Sequence, residues 1–88
     1  MIDERLKIEI TYCTAWGYLP MAAWMATEFW AEFKERLAIT LTPALEGTLE
    51  VYIGGEKILD RKGEGGDYPE MRRIREIRKY IRGILVDS

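Results

Sequence analysis

The chain is 88 residues long, 48% hydrophobic and 32% charged, with a formal net charge of −2 at pH 7. Residues 1–88 are therefore expected to form one small domain, too apolar for disorder and too near neutrality for a general nucleic-acid binder or a membrane-surface protein. One cysteine and no histidine exclude an intramolecular disulfide and a Cys/His zinc site. No metal, nucleotide or organic cofactor is implied. The first residues carry no apolar signal-peptide core, no apolar run is long enough to span a bilayer, and the expected compartment is a reducing cytoplasm.

Leu6, Ile8, Ile10 and Tyr12 alternate with Lys7, Glu9 and Thr11, the period-two pattern of a half-buried strand. Cys13 follows in a turn, and Gly17 and Pro20 punctuate the start of a helix that is expected to run to about Arg36. Ala22, Met25, Ala26, Phe29, Trp30 and Phe33 share its broad apolar face. Glu28, Glu32 and Glu35 mark the opposite face, and Trp24, four residues before Glu28, belongs with them.

Residues 37–42 read as a second strand, broken by Pro43, and residues 48–53 as a third. Gly54-Gly55 signals a tight turn, with residues 57–62 as a short, charged return strand suited to a sheet edge. Gly63-Glu-Gly-Gly-Asp67 is a flexible loop, expected beside the Cys13 turn, and it lacks the lysine and spacing of a phosphate cradle. Pro69 opens a last helix with Met71, Ile74, Ile77, Ile81 and Ile84 as its apolar stripe. Arg72, Arg73, Arg75, Arg78, Lys79 and Arg82 give that helix a basic, solvated face; RNA docking is not favoured, since the stacking motifs of RNA-binding sheets are absent. The order is β-α-β-β-β-α: an α/β (α+β sandwich) chain with a mixed four-stranded sheet and two helices.

A thiol at the first strand-to-helix turn, in this element order, is similar to the thioredoxin-like fold. Ile10-Thr-Tyr-Cys-Thr14, Gly17-Tyr18, Ala22-Ala-Trp-Met25, Gly47-Thr-Leu-Glu-Val51, Gly55, Arg61-Lys-Gly-Glu-Gly-Gly66 and Pro69-Glu-Met71 together resemble the Rdx proteins related to selenoprotein W. The resemblance implies a Cys-x-x-Cys or Cys-x-x-selenocysteine pair in the turn after the first strand. Cys13 matches the first position. Trp16 stands at the second and can neither form nor resolve a disulfide.

A thiolate rather than a thiol is the nucleophile in disulfide exchange, and the helix N-terminus beyond the turn favours that form. Cys13 is accordingly expected to be reactive and partly exposed, attacking a disulfide or being glutathionylated, with an external thiol completing the cycle. Glutathione or a thiol-containing protein is the partner this implies. Trp16 admits three readings: a natural replacement, a deliberate introduction, or a UGA selenocysteine codon read as tryptophan. Inward packing of Trp16 is a fourth, disfavoured because the redox turn of this fold faces solvent. Trp16, Tyr18, Met21 and Trp24 would make an aromatic docking patch at the start of the helix. Pro43 could correspond to the cis-proline that faces the redox turn in thioredoxin-like proteins, or be a plain turn proline. The alternative function is a binding module that has lost catalysis and holds a partner through the surface around Trp16 and Trp24.

Overall fold

The computed structural model describes residues 4–86. Its elements are β1 (Leu6–Cys13), α1 (Leu19–Phe33), a 3-10 turn (Lys34–Arg36), β2 (Leu37–Ala44), β3 (Leu49–Ile53), β4 (Glu56–Asp60) and α2 (Met71–Val86). The sheet order is β2-β1-β3-β4. β1 runs parallel to β2 and antiparallel to β3, and β3 is antiparallel to β4. This is the mixed four-stranded, two-helix sheet expected of a thioredoxin-like α+β fold, with β4 at an edge.

The alternation in β1 is realised. Ile8, Ile10 and Tyr12 are buried with Leu49, Val51 and Ile53 of β3, beneath Ala22, Met25, Phe29 and Phe33 of α1 and Ile74, Ile77 and Ile81 of α2. Both helices thus lie on one face. On the other, among the described residues, polar side chains bond to one another: Thr42 Oγ1 donates to Glu9 (2.9 Å), and Thr11 (3.3 Å) and the Tyr52 hydroxyl (2.8 Å) donate to Glu50. Gly54 and Gly55 both adopt positive φ in the β3–β4 turn. A bulge between Val51 and Tyr52 pairs these with Leu59 and Lys57, leaving Ile58 unopposed and keeping Leu59 in the core.

Several boundaries move. α1 ends at Phe33, because Lys34 takes φ 52° and its N–H closes on the Trp30 carbonyl. β2 continues through Pro43 to Ala44, which an edge strand tolerates because one side of it needs no ladder donor. β3 and β4 are each one residue or more shorter than the sequence pattern implied.

The faces of α1 also need correcting. Trp30, expected in the core, is 51% exposed and lies under the Lys34 ammonium, 4.4 Å from its ring centroid. Trp24, expected on the solvent side, is half-buried against the core. Glu28 and Glu32 face α2 rather than water. Arg78 bonds Glu32 at 3.0 Å and lies 3.7 Å from Glu28, while Arg82 bonds Glu32 at 2.6 Å. The basic face of α2 is therefore neutralised in part by α1, and two more of its arginines are paired nearby: Arg73 with Glu64 at 3.0 Å and Arg72 with Glu76 at 3.8 Å. The hydrogen bond from Arg82 holds the Glu32 carboxyl below its ordinary value, against the opposing effect of burial.

Candidate functional site

The last residue of β1 is Cys13, and its backbone is fixed at both ends. Its N–H donates to the Thr48 carbonyl (2.8 Å), and its own carbonyl accepts from Tyr18 N–H (3.1 Å). Gly17 N–H closes the turn 14–17 on the Thr14 carbonyl (3.1 Å), with Gly17 at φ +71°. The chain then enters α1 with Pro20 in the first turn and Tyr18 as a cap whose side chain makes no capping bond.

This geometry corrects the expectation of a partly exposed thiol. Cys13 is 1% exposed. Lys7, Glu9 and Thr11, its partners in the strand alternation, lie on the sheet face away from the helices, whereas Cys13 is buried with the core cluster. The expected help from the helix is also reduced. The N–H groups of Gly17 and Tyr18 are spent on turn carbonyls, and Pro20 supplies none.

The aromatic residues divide differently from the expected patch. Trp16 is 49% exposed and does not enter the core. Its indole N–H donates to Glu46 (3.1 Å), and its ring covers Gly47, where an added Cβ would sit 3.4 Å from it. Tyr18 is 3% exposed, and Met21, like Trp24, is half-buried against the core. The surface that remains around the turn is made by Trp16 and Leu19 with Leu45, 84% exposed in the β2–β3 connection, and Tyr68.

At the centre is a residue that sequence reading missed as a site residue. Arg61 follows β4, and its guanidinium lies 5.2 Å from the ring centroid of Tyr18 and 5.7 Å from those of Trp16 and Tyr68. Tyr18 meets Trp16 and Tyr68 edge-on at 5.9 Å and 5.4 Å. Three consecutive carbonyls tie the parts together: Gly47 accepts from Arg61 Nη1 (3.2 Å), Thr48 from Cys13 N–H and Leu49 from Arg61 N–H (3.0 Å). Arg61 Nε is enclosed without a partner. Burial first, then a hydrogen bond with Tyr68, raises the Tyr18 phenol above its ordinary value; the Arg61 charge opposes the rise and the nearby Cys13 adds to it. The contacts made to the Cys13 turn from this side come from Arg61 and Tyr68, which flank the expected loop of residues 63–67.

Pro43 pairs with Tyr12 in the β1–β2 ladder, one position before the Cys13–Ala44 pair. No peptide bond among the described residues is cis, so Pro43 is an exposed edge-strand proline and not a cis-proline facing the turn. Among the described residues no group of three or more His, Cys, Asp or Glu is arranged to hold a metal ion. No described helix is long and apolar enough to cross a membrane.

The Rdx family profile matches residues 7–82, which includes every element from β1 through most of α2. The chain belongs to the Rdx family. Its structure is similar to that of a Bordetella parapertussis protein, with 31% identity and a TM-score of 0.77, covering 86% of this chain and 98% of that one. It is similar also to a selenoprotein W-related protein from Vibrio cholerae, with 32% identity and a TM-score of 0.71, covering 84% and 98% respectively. No curated protein matches the sequence. At family level the Rdx chain is a small redox-type protein.

Proposed function

We propose that this Rdx protein acts in thiol redox chemistry through Cys13 alone, as a shielded monothiol. The observation that carries the reading is the placement of Cys13 at the junction of β1 with the turn into α1, held by backbone bonds to Thr48 and Tyr18. In the proposed step the Cys13 thiolate, its proton given up to solvent, attacks one sulfur of a disulfide. A Cys13 mixed disulfide forms, the original S–S bond breaks, and the other half leaves as a thiolate that takes a proton from water. A second, external thiol attacks the mixed disulfide and releases Cys13. Glutathione or a protein thiol fits this role. Reaction requires local opening around the turn that follows β1, since Cys13 is 1% exposed.

The test is intact mass after exposure to oxidised glutathione. One adduct per chain, removed by a reducing thiol and absent in Cys13→Ser, is the expected result; a folded chain that takes no adduct sinks the reading. Trp16 marks the position of the family's second redox residue. A UGA codon there in the native gene would make it selenocysteine, and UGG removes that possibility.

One observation favours a second reading. Trp16, Leu19, Leu45 and Tyr68 expose apolar surface around the same turn, which suits a binding module with no thiol chemistry. Cys13→Ser separates the two. Partner binding that survives the substitution supports the module, and function lost together with thiol exchange supports the redox protein.

A further inference from the structure

Arg61 is treated unlike the other half-buried arginines. Arg73 and Arg78 each meet a carboxylate within 3.0 Å. Arg61 meets three ring faces and one carbonyl, with its Nε left unpartnered and no acidic partner among the described residues. An enclosed guanidinium nitrogen without an acceptor is costly, and ring faces recover only part of what a carboxylate would supply. Two acids of the flanking segments are engaged elsewhere: Glu46 accepts from Trp16, and Glu64 from Arg73 and the Asp60 N–H. The cation thus lacks a carboxylate, at the residue that clasps Trp16 and Tyr18 over the turn beside Cys13.

We propose that Arg61 is the positioning and specificity residue of the thiol end, selecting disulfides that carry a carboxylate close to the S–S bond. A carboxylate offers Arg61 the planar two-point pairing that it lacks in the closed cluster. Drawing the guanidinium toward the ligand releases the rings of Trp16 and Tyr18, which loosens the turn where the thiol is needed. The inference rests on Cys13 being the working thiol. Asp67, next to Tyr68, is the opposing charge on this rim, so a cationic disulfide is the informative competitor.

The experiment measures the rate of Cys13 mixed-disulfide formation by the full chain with three probes. These are 3,3′-dithiodipropionate (anionic), 2-hydroxyethyl disulfide (neutral) and cystamine (cationic). With each rate divided by that of the same probe on the urea-unfolded chain, which removes differences between the leaving thiols, the anionic probe should lead by about fivefold over the neutral one at low salt, with the margin shrinking at high salt. Arg61→Met should erase the preference, and Arg61→Lys should keep part of it, since it retains the charge without the planar fork. Circular dichroism establishes that each variant is folded, and the salt dependence of the unmodified chain shows separately that the preference is electrostatic. An order led by cystamine, or an anionic preference that survives Arg61→Met, overturns the role of Arg61 while leaving Cys13 as the thiol. Failure of all three probes on the folded chain overturns the Cys13 reading, and the Arg61 assignment with it.

Discussion

Two regions of the molecule handle their arginines in opposite ways. Between α1 and α2, Arg78 and Arg82 converge on Glu32, with Glu28 alongside, so each charge faces its complement across the interface. At the thiol end, Arg61 is held by ring faces and a lone carbonyl. The first arrangement fastens two elements whose relative position must not change. The second is a weaker clasp, placed over the turn that must open before Cys13 can react. The difference teaches that the fold concentrates its directional pairing away from the candidate site and leaves the site to contacts that part at lower cost.

Substitutions in and beneath the two regions should separate these roles. The largest effect lies beneath both. Phe29 is fully buried among residues of both helices and the sheet, and Phe29→Ala should lower unfolding free energy by about 3–5 kcal/mol in urea titration. Next is Gly47→Ala. Gly47 has φ +79°, and an added Cβ would stand 3.0 Å from Lys62 Cε and 3.4 Å from the Trp16 ring, so a loss of about 1–2 kcal/mol is expected. A shift in Trp fluorescence as the Trp16 ring lifts should accompany it.

Glu32→Gln should cost about 1 kcal/mol, because the carboxylate is mostly covered and its two arginines lose a charged acceptor. The sign with pH follows. Glu32 titrates lower in the folded chain than its ordinary 4.5. Its contribution is therefore fully present above the unfolded value and is lost as pH falls through the depressed folded one. Thermal midpoints taken from about pH 6 downward should fall through this window, and less steeply in Glu32→Gln. The smallest effect is expected at Arg61. Arg61→Met removes the ring contacts and the bond to the Gly47 carbonyl but also an enclosed, unpartnered nitrogen, and as these effects offset, stability should stay within about 0.5 kcal/mol of the parent in the same urea titration. A loss at Arg61 as large as that at Glu32 would erase the contrast between the two regions.

Much of the fold was legible because it is written locally. The alternation in β1, the Gly54-Gly55 turn and the isoleucine stripe of α2 each sit within one element. Trp24, Trp30, Glu28 and Glu32 were assigned to the wrong sides because helical periodicity defines a face but does not say where a second helix covers its flank. The site was legible only as a position. Cys13 and Trp16 were marked by the order strand, thiol, helix, whereas the burial of Cys13 is a property of the assembled core that it joins. Arg61 reaches Trp16 from 45 residues away in sequence. No local pattern announces such a contact; the run of residues 61–66 pointed to the family, not to the role.

The central claim is that Cys13 becomes reachable by opening of its own turn, without unfolding of the chain. The most direct test is the rate of Cys13 alkylation as a function of urea, kept well below the unfolding transition. Local opening exposes little surface, so the rate should be far below that of the unfolded chain yet nearly flat at low urea. A rate that climbs from zero urea with the full slope of global unfolding would mean that the thiol is reached only when the fold is lost, and would contradict the account.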